Sequence, residues 1–206
     1  MSATPSIMRQ IAFSFAAVSA VALGGCKKSE TPATDTATPA VAPAPDTARP
    51  AAAPAPAIND AQIAHIVVTA NTVDSAAGQL AKTKGASKAV KDFGQTMVND
   101  HSGVNKQAVA LATKLNVTPE DNDTSRQLKS GGDANLAKLQ GLSGEAFDKA
   151  YIDNEVTYHQ TVLDAIDKTL IPNAQNADLK ALLVKVRPAI AAHLERAKSI
   201  QSSLTK

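Results

Sequence analysis

The sequence contains no tryptophan, two tyrosines and four phenylalanines in 206 residues. A surface that stacks sugar rings needs more aromatic faces than that, so a lectin is a poor match. An excess of one charge is missing as well. Twenty-one Lys and Arg stand against nineteen Asp and Glu, a formal net charge of +2, with the two signs interspersed. No basic stripe with interleaved aromatics runs through the chain, which argues against a nucleic-acid partner. Cysteine occurs once, at Cys26, so no intrachain disulfide can form in any compartment. No strand pattern or internal repeat competes with the helical periodicity described below. Gly131-Gly132 is not followed by Lys-Ser/Thr, so it reads as a loop hinge rather than a phosphate cradle. Ser102 follows a histidine, but no nucleophile is set on a strand-to-helix turn, so serine hydrolase chemistry lacks its scaffold.

The chain divides by composition into three parts. Residues 1–25 carry Arg9, an apolar run from Ile11 to Leu23 and a small-residue end, which together suit a secretory signal better than a membrane span. Leu23-Gly24-Gly25-Cys26 resembles the lipobox of bacterial lipoproteins. That resemblance implies cleavage before Cys26, lipidation of Cys26, and a membrane partner held through that lipid. Lys27 at the next position leans towards the outer membrane. Residues 26–58 form a Pro/Ala/Thr-rich tract with little to bury, expected as a disordered, extended tether. Residues 59–206 have the size and apolar content of one domain.

In that domain the helical seams come in order. Asn59 or Asp60 caps a first helix to about Lys84, with Ile63, Ile66, Val67, Ala77 and Ala81 on one face. His65 points off that face, towards solvent. Ser87 caps a second helix to about Asn116, with Val90, Phe93, Met97, Val104, Ala108 and Leu111 in its seam. A long connection follows, 117–143, in which Asp133 is expected to cap a short helix to Gln140. Ser143 caps a third helix that ends near Leu170, before Ile171-Pro172. A fourth runs from about Asn176 to Leu204, kinked by Pro188. The expectation is an all-α fold: a four-helix bundle with a long connection containing short helices between the second and third main helices.

Periodicity and chemistry disagree in Phe147–His159. At about 100° per residue, Asp148, Glu155 and His159 fall on the same side as Ile152, Val162, Leu163 and Ile166. Buried carboxylates and imidazoles are costly unless paired, hydrogen-bonded or bound to a metal. The other helices repeat the anomaly, with Asp74, His101 and His193 each on an apolar face near mid-helix. Similar depth at 1.5 Å per residue means similar height in a bundle, so these five meet in one layer. Asp148, about 16 Å along the helix from His159, stays outside it. Tyr151 and Tyr158 flank the core face, with their hydroxyls expected near the rim.

Imidazole nitrogen and carboxylate oxygen are ligands for iron, manganese, zinc and copper. His101, His159, His193, Glu155 and Asp74 are therefore the candidate metal ligands, and Asp100 a candidate outer partner for a histidine. A metal-free network that fixes helix register, in a structural or protein-interaction module, needs the same residues in the same places.

Several segments are similar to a known family: Ala70-Asn71 with Asp74, Met97-Val98-Asn99-Asp100-His101, Leu142-Ser143-Gly144 with Phe147-Asp148, His159, and His193-Leu194-Glu195. They resemble the ferritin-like domain of unknown function found in bacterial envelope proteins, often labelled membrane or outer-membrane proteins. The resemblance implies a ferritin-like fold and a periplasm-facing envelope location, and no settled activity. That family usually has glutamate at the position of Asp74. The di-iron ferritins use Glu-x-x-His, whereas Val98 and Ile190 stand three residues before His101 and His193, and Glu155 precedes His159 by four. No ferroxidase, and no catalytic residue, is implied.

Overall fold

A computed structural model of the chain describes residues 58–204. The expected leader, Cys26 and nearly all of the tether lie outside them. Among the described residues every regular element is helical: α1 (Asp60–Lys84), α2 (Lys88–Lys114), α3 (Asp123–Gln140), α4 (Gly144–Ala165), a π segment (Ile166–Leu170), α5 (Ile171–Asn173) and α6 (Ala177–Leu204). None is long and apolar enough to cross a membrane. Helix α1 pairs with α2, α4 pairs with α6, and α3 lies against α1.

The ends of these helices are written in side chains. Asn59 Oδ1 accepts the Gln62 N–H at 2.8 Å while Gln62 Oε1 accepts the Asn59 N–H at 3.2 Å, a reciprocal cap. Ser87 Oγ accepts the Val90 N–H at the start of α2. Asp148 is what closes the short turn between α1 and α2: its two oxygens accept the N–H groups of Ala86 and Ser87, both at 2.8 Å. That accounts for a carboxylate only 1% exposed on the apolar face of α4. Past the turn, α1 and α2 approach backbone to backbone. A methyl group on Gly78 would lie 2.8 Å from Met97 Cβ, and one on Gly94 would lie 2.7 Å from the Gly78 carbonyl oxygen.

The connection between α2 and α4 differs from the sequence expectation. Its helix is eighteen residues long and starts eleven residues earlier, capped by Asn122 rather than Asp133, and Asn122 Oδ1 accepts the Ser125 N–H at 3.0 Å. Asp133 therefore caps nothing, and Gly131-Gly132 is helical rather than a hinge. The reason is packing. A Cβ on Gly132 would come within 2.5 Å of the Val73 side chain, so the missing side chain is where α3 presses onto α1.

Helix α4 also runs on where Pro172 was expected to stop it. Five residues widen into π geometry, with the Ile171 N–H reaching back to the Ile166 carbonyl, and the helical path ends only at Asn173. Pro172 has no N–H to offer the preceding turn, and a wider turn accommodates its ring without breaking the path. His65, expected in solvent, has a side chain only 32% exposed, with Nδ1 3.9 Å from Asp121 Oδ1.

The apolar core is split in two. One cluster gathers Ile63, Ile66 and Val67 with Leu163, Ile166, Leu183 and Ile190, and the other gathers Ala77, Ala81, Phe93, Met97, Phe147, Ile152 and Ala197. On each of α1, α2, α4 and α6 a buried polar residue falls between the two groups.

Candidate metal centre

Those buried polar residues are Asp74 on α1, His101 on α2, Glu155 and His159 on α4, and His193 on α6. The expected layer therefore forms. The three imidazoles make a nearly equilateral triangle, with ring centroids 5.3, 5.4 and 5.7 Å apart. One candidate ligand atom from each of His101, His159 and His193 lies within 4.8 Å of the others, and the same holds for Asp74, Glu155 and His159. His159 belongs to both groups.

Hydrogen bonds fix which nitrogen of each ring is left over. Asn71 Nδ2 donates to the Val67 carbonyl at 2.7 Å, so its Oδ1 is the atom that faces His101 Nδ1 at 2.8 Å. An amide oxygen only accepts, so His101 carries its hydrogen on Nδ1. His159 Nδ1 lies 3.0 Å from the Glu155 backbone carbonyl and carries a hydrogen for the same reason. In both neutral rings the Nε2 lone pair is free, and both face one oxygen: Asp74 Oδ2 is 3.2 Å from His101 Nε2 and 3.4 Å from His159 Nε2. Neither contact has hydrogen-bond geometry, and both Nε2 atoms and both Asp74 oxygens are buried without a hydrogen-bond partner. His193 turns Nε2 to Asp100 Oδ2 at 2.9 Å and leaves Nδ1 buried and unpartnered.

Lone pairs of both rings therefore converge on Asp74 with no ring N–H pointing in. In a tetrahedral site with bonds of about 2.0–2.1 Å, neighbouring ligand atoms sit about 3.3–3.4 Å apart. The separations of 3.2 and 3.4 Å match that edge. The donor set of imidazole nitrogen and one carboxylate suits a divalent transition metal. Glu155 stands differently. Its Oε2 lies 3.4 Å from His159 Nδ1, behind the ring rather than before it, and is itself buried without a hydrogen-bond partner, while the Glu155 backbone carbonyl orients the histidine.

The electrostatics agree. Burial pushes the Asp74 carboxyl up to about 8. Burial, with Asp74 beside it, raises Glu155 well above the usual carboxylate range against a small opposing effect of the Tyr151 hydroxyl. Burial, then the neighbouring His159 and His193, lowers His101 to about 3. Burial and His193 lower His159 to about 4, partly offset by its bond to the Glu155 carbonyl. His101 and His159 are thus neutral and ready to ligate at neutral pH, while Asp74 holds a proton that a cation must displace.

One further side chain departs from expectation. Tyr151 is fully buried rather than at the rim, its hydroxyl unpartnered and close enough to Glu155 to perturb it. The Tyr158 hydroxyl donates to the Ala70 carbonyl at 2.9 Å, tying α4 to α1. Asp100 partners a histidine as expected, His193 on α6. The role of Asn71 was not foreseen. Its signal is a polar residue three before Asp74, on the face that faces His101.

The sequence model of a family described as Domain of unknown function (DUF4142) matches residues 45–200. No curated protein and no solved structure matches the chain.

Proposed function

The chain belongs to the DUF4142 family, whose description supplies a domain and no activity, and we propose that it is a metal-binding protein of the bacterial envelope. The bundle holds one divalent transition metal through His101, His159 and Asp74, with His193 at hand through Nδ1 and Glu155 bracing His159. Helices α1, α2, α4 and α6 act as a ferritin-like four-helix frame, with α3 laid along α1. Cys26 carries the lipid anchor and the Pro/Ala/Thr-rich tract holds the domain away from the membrane. The role is metal handling or stress protection rather than turnover of an organic substrate.

One observation carries the metal reading: two imidazole lone pairs and a carboxylate oxygen, all buried and all without hydrogen-bond partners, face one another at ligand-edge distance. A network built only to fix helix register would give those atoms hydrogen-bond geometry, which neither contact has. The test is elemental analysis of the full chain purified from a periplasm without chelators or a histidine tag. About one equivalent of iron, manganese, zinc or copper is expected, and none in the His101→Ala/His159→Ala/His193→Ala variant. Equal metal content in the two proteins would sink the reading.

A further inference from the structure

Three cavities lead towards the cluster. The smallest, about 100 Å³, is an apolar pocket among Ile66, Val104, Leu183 and Ile190 that touches Asp74, His101 and His159 and offers a hydrated ion no charged side chain at its mouth. A groove of about 360 Å³ between α1, α3 and α4 ends on Asp74 and Glu155. Those two side chains are 0% and 1% exposed, and Tyr158 on the groove wall is tied to the Ala70 carbonyl. A cleft of about 390 Å³ between α2 and α6 is lined by Asp100, His101, Gln107, Lys185 and His193, among others. There the cluster comes closest to water: the His193 side chain is 9% exposed and that of His101 5%. Asp100, 49% exposed, stands at the mouth.

We propose that Asp100, hydrogen-bonded to His193, forms an outer, solvent-facing subsite for a divalent cation, and that the ion enters the cluster through the α2–α6 cleft. The inference rests on the metal reading of the inner cluster. Asp100 keeps about half its surface in water, so it attracts a hydrated cation without the desolvation cost that burial imposes on Asp74 and Glu155. His193 Nε2 donates its hydrogen to Asp100 Oδ2 on the outer side, which leaves the Nδ1 lone pair facing the cluster, one imidazole inward of the carboxylate. The ion can therefore exchange water for protein ligands in stages rather than shed its whole shell at once. Lys185 is the basic residue lining the cleft, with Nζ bonded to Gln107 Oε1 at 2.9 Å, and its charge opposes entry.

Stopped-flow loading of the full chain with cobalt(II), followed by its visible absorption, separates the possibilities. Asp100→Asn is expected to slow association about 5–10-fold and dissociation by a similar factor, leaving the Kd within about 2-fold. Lys185→Gln is expected to speed association about 3-fold, and both effects shrink in high salt. Asn154→Lys, in the other groove, leaves the rate unchanged. A variant Asp100→Asn that loads at the wild-type rate refutes the port while leaving the inner site intact. One that changes only the dissociation rate makes Asp100 a positioning residue for His193 and also overturns the port. Wild-type protein that takes up no cobalt at equilibrium refutes the metal reading, and the port falls with it.

Discussion

Metal affinity should rise with pH, and Asp74 sets by how much. Its carboxyl, raised by burial to about 8, is protonated at pH 6 and half ionised at pH 8. His101 and His159, lowered to about 3 and 4, are neutral across that interval and take no part in the change. The sign follows from competition for one oxygen: below its raised value Asp74 binds a proton that the ion must expel, so lowering the pH weakens binding. The ionised fraction is about one in a hundred at pH 6 and one in two at pH 8. The apparent affinity should therefore increase roughly 50-fold over those two units and level off above pH 8. Zinc titrations against a competing chelator at pH 6, 7 and 8 give the slope. Calorimetry at pH 6 in buffers of different ionisation enthalpy gives the proton count, expected near one. Asp74→Asn keeps the shape, loses the charge, and should bind more weakly with the slope abolished. An affinity that stays flat between pH 6 and 8, with no proton released, would show that Asp74 is not a ligand.

Two stability predictions separate frame from site. Asp148→Ala removes the buried charged acceptor of two part-buried backbone N–H groups and should lower unfolding stability by about 2–4 kcal/mol in urea denaturation, while metal content stays at the wild-type level; a loss under about 0.5 kcal/mol would refute its role as the clasp of the α1–α2 turn. Gly132→Ala, which drives a methyl into Val73, should destabilise by about 1–3 kcal/mol. Gly131→Ala meets nothing within 4 Å and should be neutral or stabilising by up to about 1 kcal/mol. Equal melting of the two alanine variants would contradict the packing of α3 on α1.

The two glycines also show where sequence reasoning ends. Adjacent Gly131-Gly132 reads as a hinge because glycine is a poor helix former. Only the Val73 side chain, some sixty residues earlier in the chain, reveals that one of the pair is there to admit a neighbouring helix. Pro172 misleads in the same way, since a π turn absorbs it locally and nothing in the residue names announces the wider winding. The long amphipathic seams of α1, α2, α4 and α6 were legible because period and length leave little alternative. The inward positions of Asp74, His101, Glu155, His159 and His193 followed from the same periodicity. Their division of labour did not. Which nitrogen of His101 faces inward depends on Asn71, and which partner Asp100 takes depends on how close α6 lies to α2. Both are facts of tertiary placement. Asp148 shares the face and spacing of Glu155, yet serves a turn rather than the cluster.

The split core has a consequence for how the molecule breathes. Helices α1, α2, α4 and α6 each thread two apolar masses and, between them, a slab in which several polar atoms lack hydrogen-bond partners. Cohesion is strong at either end and weakest at the waist, so opening motions of the bare protein should begin there, with the two halves flexing against each other. An ion seated among residues from different helices would act as a rivet through that waist. Amide exchange in the turns around Asp74, His101 and His159 should then slow far more on loading than exchange near Ile63 or Phe147. The affinity of the site and the rigidity of the whole domain would be one quantity measured in two ways.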